Sequence, residues 1–376
     1  MMGILSALKK LNLKFSVLFV FLCLTISASL LLLSRFTEGF AQGYAVRVFP
    51  WIQMLMGRTS SFWDHSFFET GILLFLLLVV SVFLSGIFFL IKRSAASKKS
   101  MSFLLRGTAC VLSGLILIYT LTAAVNYHRD SIGIVLNLPA AEASGESLAK
   151  LSMILAEDMR ALTEDPEWNY GILTEFDEAY IENQAVYAMK QIGQGEPSLS
   201  GYYSKPKPIY FSNLLSDLGI DGIFSPFTME ANYNNKITPF LIPYTICHEL
   251  AHSKGYMKEE DAGFIAYLAC RSSSSRLFEY SGLFHGLVFA MDALREEAGE
   301  AAFDEVYRKL PEPVQIQLRY VMEQSRQQAS SFVSAAISVN DLYLKVNAQS
   351  GMNSYGQVVE LLIADYADRI YGEDLL

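Results

Sequence analysis

The residues best equipped for chemistry in this 376-residue chain stand together in Thr245–Phe264, TICHELAHSKGYMKEEDAGF. His248 and His252 are four apart, which on a helix places them one above the other on one face. That spacing lets two imidazoles hold one ion, and Glu249 is placed to reach a water beside it. Zinc lowers the pKa of its water to about 7, and such a carboxylate takes the proton as the water attacks a carbonyl. The chain has five histidines, so two of them flanking a Glu in this way arises by composition on the order of once in a few hundred sequences. The expected chemistry is zinc-dependent hydrolysis, with His248 and His252 as ligands and Glu249 as general base.

A catalytic zinc takes three protein groups and keeps a fourth position open. Gly255 follows His252 by three residues, as in the extended metzincin-like motif, but the third histidine of that pattern would fall at Lys258. Glu259, Glu260 and Asp261 come next and open a helix, where carboxylates are favoured. In the gluzincin-like pattern of a Glu followed by x-x-Ala-Asp, EEDAG aligns Glu259 as the third ligand, with Glu260 and Asp261 as alternatives. The same alignment puts Gly263 where an Asp usually orients one histidine. A structural zinc site would be closed by a fourth protein ligand and gains nothing from Glu249, so a non-catalytic zinc-stabilised membrane sensor or scaffold is the second reading.

Positioning these groups requires a helix from Pro243, suited to a first turn, to Gly255, suited to a stop. The apolar run FLIPYTIC leads it into a core. Ahead of it, Gly222–Asn235 is aromatic and interrupted by Pro226, which suits an edge strand or irregular extended segment. Apolar spacing predicts helices over Gly145–Leu162, Glu175–Ile192, Glu259–Arg271, Gly282–Ala298, Glu312–Asn340 and Tyr355–Tyr371, with a surface loop over Gly193–Gly201. The domain is therefore expected to be mainly α, of α+β type. Cys247 and Cys270 are too few for a disulfide framework and read as two buried thiols.

At 52% hydrophobic and 18% charged, the chain is too apolar for a single soluble domain. Residues 15–34, 70–91 and 107–128 are uncharged windows, each long enough to span a bilayer as a helix. The first is too long for the apolar stretch of a cleaved signal and reads as an anchor. Residues 1–128 thus form a three-helix membrane anchor and 129–376 a separate domain, with the membrane lipid bilayer as one partner. Lys9, Lys10 and Lys14 precede the first span, and Lys92, Arg93, Lys98, Lys99 and Arg106 lie between the second and third. The positive-inside rule then places the N-terminus in the cytoplasm and the C-terminal domain outside it, in a multi-pass cell-membrane protein. The segment Arg35–Glu69, containing VRVFPWIQMLMG, suits a loop at the outer interface. Residues 1–125 hold 11 of the 29 basic residues and 3 of the 38 acidic ones. The remainder is strongly acidic, which argues against a nucleic-acid partner.

SPFTMEANYN, CHELAHSKGYMKEEDAGFIAYLACR and NDLYLKVNAQSGMNSYGQVVELL, following three spans, resemble an uncharacterised family of bacterial membrane proteins, domain of unknown function 3810. The likeness covers nearly the whole chain. Where the family reads Glu-Ala-Asn-Phe, this chain has Asp261–Phe264, keeping Glu259 but losing one amide. The resemblance implies a membrane-tethered, zincin-like domain of unestablished substrate; the site itself suits a peptide or protein substrate. Glu230 and Asn232 match the position from which zincin edge strands bind an extended peptide by main-chain pairing. Tyr355 enters through the resemblance as an oxyanion stabiliser. His285 is the other candidate for that role, though a histidine in such a helix is more often a satisfied core residue.

Overall fold

Composition dictates the first third of the computed structural model, which describes residues 2–173, 177–327 and 354–372. Its first helices are α1 (Met2–Phe36), α2 (Phe40–Arg47), α3 (Phe49–Ser60), α4 (Phe67–Lys92) and α5 (Ala95–Tyr119). Lys14–Phe36, Phe67–Lys92 and Ala95–His128 are long and apolar enough to cross a membrane. The α4 helix packs on α5 yet buries no residue, which fits a helix whose remaining apolar surface faces lipid.

The third apolar helix departs from expectation at both ends. It begins at Ala95, not near 107, so Lys98, Lys99 and Arg106 are helical. The α4–α5 turn shrinks to Arg93, left-handed at φ 45°, and the N-cap Ser94, whose side chain accepts from Ser97 N. At the other end α5 runs into a π-turn, Thr120–Ala124, and a 3-10 turn, Asn126–His128. Here Ala123, Val125 and Asn126 are fully buried.

The segment between α1 and α4, expected as a loop, is helical and packed. Phe49 at the start of α3 is buried with Ala41, Tyr44, Val125 and Met229, and the Gln53 side chain donates to Tyr202 O at 3.0 Å. A division of the chain at 128/129 therefore runs through one packed unit.

Beyond it lie α6 (Ile132–Val135), α7 (Gly145–Thr163), α8 (Glu178–Gly195), β1 (Lys207–Pro208), α9 (Ser212–Asp217), β2 (Gly222–Ser225) and β3 (Glu230–Tyr233). The chain continues through α10 (Ile242–Ser253), α11 (Glu259–Arg271), α12 (Arg276–Ala298), α13 (Glu300–Tyr307) and α14 (Glu312–Gln327). The part of the helix expected past residue 327 lies outside the described residues. The last expected helix is two, Ser354–Asp365 and Ala367–Tyr371, parted at Tyr366. The fold is mostly helical with little sheet.

The sheet has the order β1-β3-β2, with β1 parallel and β2 antiparallel to β3. The segment expected as an edge strand thus supplies both an edge, β2, and the centre, β3. The α10 helix packs on β2 and β3, while α12 packs against α7 and α11, and Phe278, Leu283, Leu287 and Met291 share one buried core with Leu151, Leu155 and Met159. Each such side chain stabilises the fold by roughly 1.5–3 kcal/mol. The α10 helix lies in this core, with Ile246, Cys247, Leu250 and Ala251 buried. Cys247 and Cys270 are both free and buried.

Candidate metal centre

The α10 helix starts with Pro243 in its first turn, where a missing N–H costs nothing, and the Tyr244 amide donates to Ser281 Oγ at 3.1 Å. Its end is set by Gly255, whose φ of 82° favours glycine. The Gly255 amide donates to His252 O at 2.9 Å, and the reversal brings Tyr256 O back onto His252 Nδ1 at 2.7 Å. A carbonyl can only accept, so Nδ1 carries the proton and His252 Nε2 presents a lone pair.

Three residues past that turn, Glu259 opens α11 facing both histidines. His248 Nε2 and His252 Nε2 are 3.1 Å apart. Glu259 Oε2 is 3.1 Å from His248 Nε2, and Oε1 is 3.8 Å from His252 Nε2. Tetrahedral ligands about 2.0–2.1 Å from a zinc stand about 3.4 Å from one another, so the donor set and its spacing suit a zinc-sized ion. Among the described residues His248, His252 and Glu259 form the one group that could hold a metal.

The neighbouring acids are differently placed. Asp261 is buried, and its Oδ1 accepts from Ser131 Oγ at 2.6 Å and Ile132 N at 2.9 Å, capping α6. Glu260 Oε2 is buried without a hydrogen-bond partner and does not join the cluster. At Gly263 an added Cβ would lie 3.0 Å from Tyr244 Oη and 3.1 Å from a Val358 methyl, and Tyr244 Oη donates to Gly263 O at 3.1 Å. The space an acid at 263 would need is therefore taken by Tyr244 and Val358.

The cluster lies in a cleft of about 530 Å³. One wall is β2, where Gly222 comes so close to Glu249 that a Cβ would lie 2.5 Å from Oε1. Burial pushes the Glu249 carboxyl up to about 8. The nearby His248 works against this, the charge of Glu259 adds to it, and a backbone hydrogen bond from Phe224 opposes it. Burial alone would lower the His248 imidazole, but the hydrogen bond and charge of Glu259 outweigh it and raise it. His252 is pushed down to about 4, chiefly by burial. Tyr127, from the turn after α5, and Met257 also line the cleft.

Among the other expected site residues, His285 also lines the cleft, stacked on Tyr244 with centroids 3.9 Å apart. Its Nδ1 donates to Ser281 O at 2.8 Å, and burial pushes it down to about 4. Its Nε2 is thus an acceptor and cannot donate to an oxyanion. Glu230 and Asn232 lie on the central strand, outside the cleft lining. Glu230 Oε1 pairs with Lys207 Nζ at 2.6 Å, both side chains fully buried, and its carboxylate accepts from Phe67 N and Phe68 N at 3.1 and 2.8 Å. It caps α4 and binds it to the sheet. Asn232 is fully buried, its Nδ2 donating to Ile223 O at 3.3 Å. Tyr355 falls in the first turn of the Ser354–Asp365 helix, but its side chain lies outside the described residues; Val358 of that helix lines the cleft. Sequence reasoning missed Gly222, Phe224 and Tyr244. For Gly222 the signal was a glycine inside a strand, which marks a close approach.

The chain belongs to the family described as a protein of unknown function (DUF3810), which matches it over residues 44–363. No curated protein and no solved structure matches it.

Proposed function

We propose that this protein is a membrane-anchored, zincin-like zinc metallopeptidase whose domain hydrolyses peptide bonds outside the cytoplasm. The observation that carries the reading is the count of donors: His248, His252 and Glu259 converge, and among the described residues no fourth His, Cys, Asp or Glu closes the group. A site of three ligands with a buried carboxylate beside it suits catalysis better than a closed structural site.

His248, His252 and Glu259 would hold the ion, which when bound acidifies water and polarises a carbonyl. The remaining work belongs to the chain's own residues. The Tyr256 carbonyl keeps His252 in the tautomer that offers Nε2. Glu249, held against β2, accepts the proton of the attacking water and delivers it to the departing amine. The outer edge of β2 borders the cleft and, apart from the Phe224 amide that Glu249 already holds, offers main-chain groups to an extended peptide laid along it. The lysines and arginines flanking the apolar helices favour a cytoplasmic N-terminus and an external domain.

The test uses the full chain purified in detergent, its metal content measured and its hydrolysis of a peptide library followed with and without chelator. One zinc per chain and chelator-sensitive cleavage are expected. Bound zinc with no turnover on any peptide pool would favour the sensor or scaffold reading.

A further inference from the structure

We propose that Tyr210, Phe211 and Leu214 form a foot that seats the domain in the interfacial layer of the bilayer, on the side where the domain lies. The inference is independent of whether the cleft is catalytic. These side chains are 87%, 48% and 56% exposed, an apolar cluster spanning five residues of an otherwise acidic domain. Their position relative to the second apolar helix identifies the occupant. The amides of Tyr210 and Phe211 donate to the two carboxylate oxygens of Glu69, each at 3.0 Å.

Glu69 lies two residues along α4 from Phe67, about 3 Å further down the helix at 1.5 Å per residue. The uncharged run begins at the very next residue, Thr70. The foot is therefore tied to the level at which the apolar span starts. A second set of exposed rings, Phe62 and Trp63, flanks the same helix end, with Trp63 against Phe67 at 4.9 Å. Tyrosine and tryptophan are the residues that settle at this depth, ring among the acyl chains and polar atom among the headgroups. A lipid surface continuous with the span thus covers the patch.

The foot also connects to the cleft. Leu214 and Ser212–Asp217 form α9, the Leu218 amide donates to Leu214 O at 3.1 Å, and Leu218–Phe224 line the cleft. One lip of the cleft is thus held at the bilayer surface.

The experiment uses the full chain in liposomes of phosphatidylcholine and phosphatidylglycerol. Photoactivatable lipids with the reactive carbon near the headgroup are irradiated with the unmodified protein, and adducts are mapped by mass spectrometry. Adducts on 210–214 are expected, and none around Tyr187, which is 52% exposed on α8. In a background lacking native cysteines, spin labels at Tyr210→Cys and Leu214→Cys should meet dissolved oxygen far more than a water-soluble nickel chelate, with Tyr187→Cys showing the reverse. Adducts confined to the spans, or labels at 210 and 214 as open to nickel as 187, would overturn the proposal. So would protection that appears only at high protein-to-lipid ratio, which would mean a second copy covers the patch.

Discussion

Gly222→Ala tests the geometry of the proposed base without touching a ligand. The new Cβ would lie 2.5 Å from Glu249 Oε1 and 2.9 Å from its Cδ and Cγ. Ordinary contact begins near 3.4 Å, so the carboxylate must retreat by roughly 1 Å, and being the free end of a side chain it yields before the strand does. A displacement of about 1 Å at a reacting group costs on the order of 100-fold in rate, which is about 2.7 kcal/mol of barrier. The backbone of Gly222 has no positive φ, so alanine adds no conformational strain and the fold should keep its melting temperature. The assay is kcat on the best peptide from the library screen, with zinc content and thermal unfolding measured on the same sample. The expected result is a loss of about two orders of magnitude in kcat with metal and melting unchanged. Wild-type kcat in Gly222→Ala, beside an inactive Glu249→Gln, would refute the claim that the β2 contact fixes the base. Loss of zinc in Gly222→Ala would show that the strand supports the ligands instead.

Other outcomes follow from the same contacts. Glu249→Gln is expected to abolish hydrolysis while one zinc per chain remains by elemental analysis, because the amide keeps the shape but cannot take a proton. Glu259→Ala should lower zinc affinity by well over the roughly 10–100-fold typical of an outer-shell change. Asp261→Ala should instead retain zinc and lower stability by about 0.5–2 kcal/mol through the lost cap; zinc titration and unfolding curves separate the two. In metal-free protein Glu249 is raised to about 8 from 4.5, so the folded state binds the extra proton and stability falls as pH rises through that range. His248, also raised, adds to the same fall, so Glu249→Gln should make the slope of unfolding free energy between pH 6.5 and 8 less steep without abolishing it. A thiol placed at Tyr187 should react with an impermeant reagent in intact cells, and its protection would contradict an external domain.

What the sequence made legible was local. The histidine pair needed only the helical period, the turn at Gly255 with the motif alignment favoured Glu259 while leaving Glu260 and Asp261 open, and α11 was readable to its ends because acids open it and apolar residues recur behind them. What was illegible depended on distant partners. Glu230 reads as a peptide-binding residue of an edge strand until Lys207, 23 positions away, and the α4 amides, more than 160 away, close around it. Asp261 stands in the same acidic trio as Glu259, and only the return of Ser131 and Ile132 to its side separates their roles. The α12 helix was read as starting six residues late because it is buried on most of its circumference, leaving no polar stripe to mark its period. Membrane-like composition near residue 120 hid the point where α5 leaves its apolar surroundings and enters the domain.

The grip of the sheet on α4 bears on how the domain could be parted from its apolar helices. A protease that nicks the chain between Tyr127 and Ile132 removes the covalent link from α5, yet Glu230 still holds the α4 amides, Lys207 still reaches Ser60 O and His65 O, and Glu69 still holds the 210–211 amides. The severed domain stays on its anchor. Release requires further cuts or unfolding, so a single cleavage event leaves the domain held on its apolar helices.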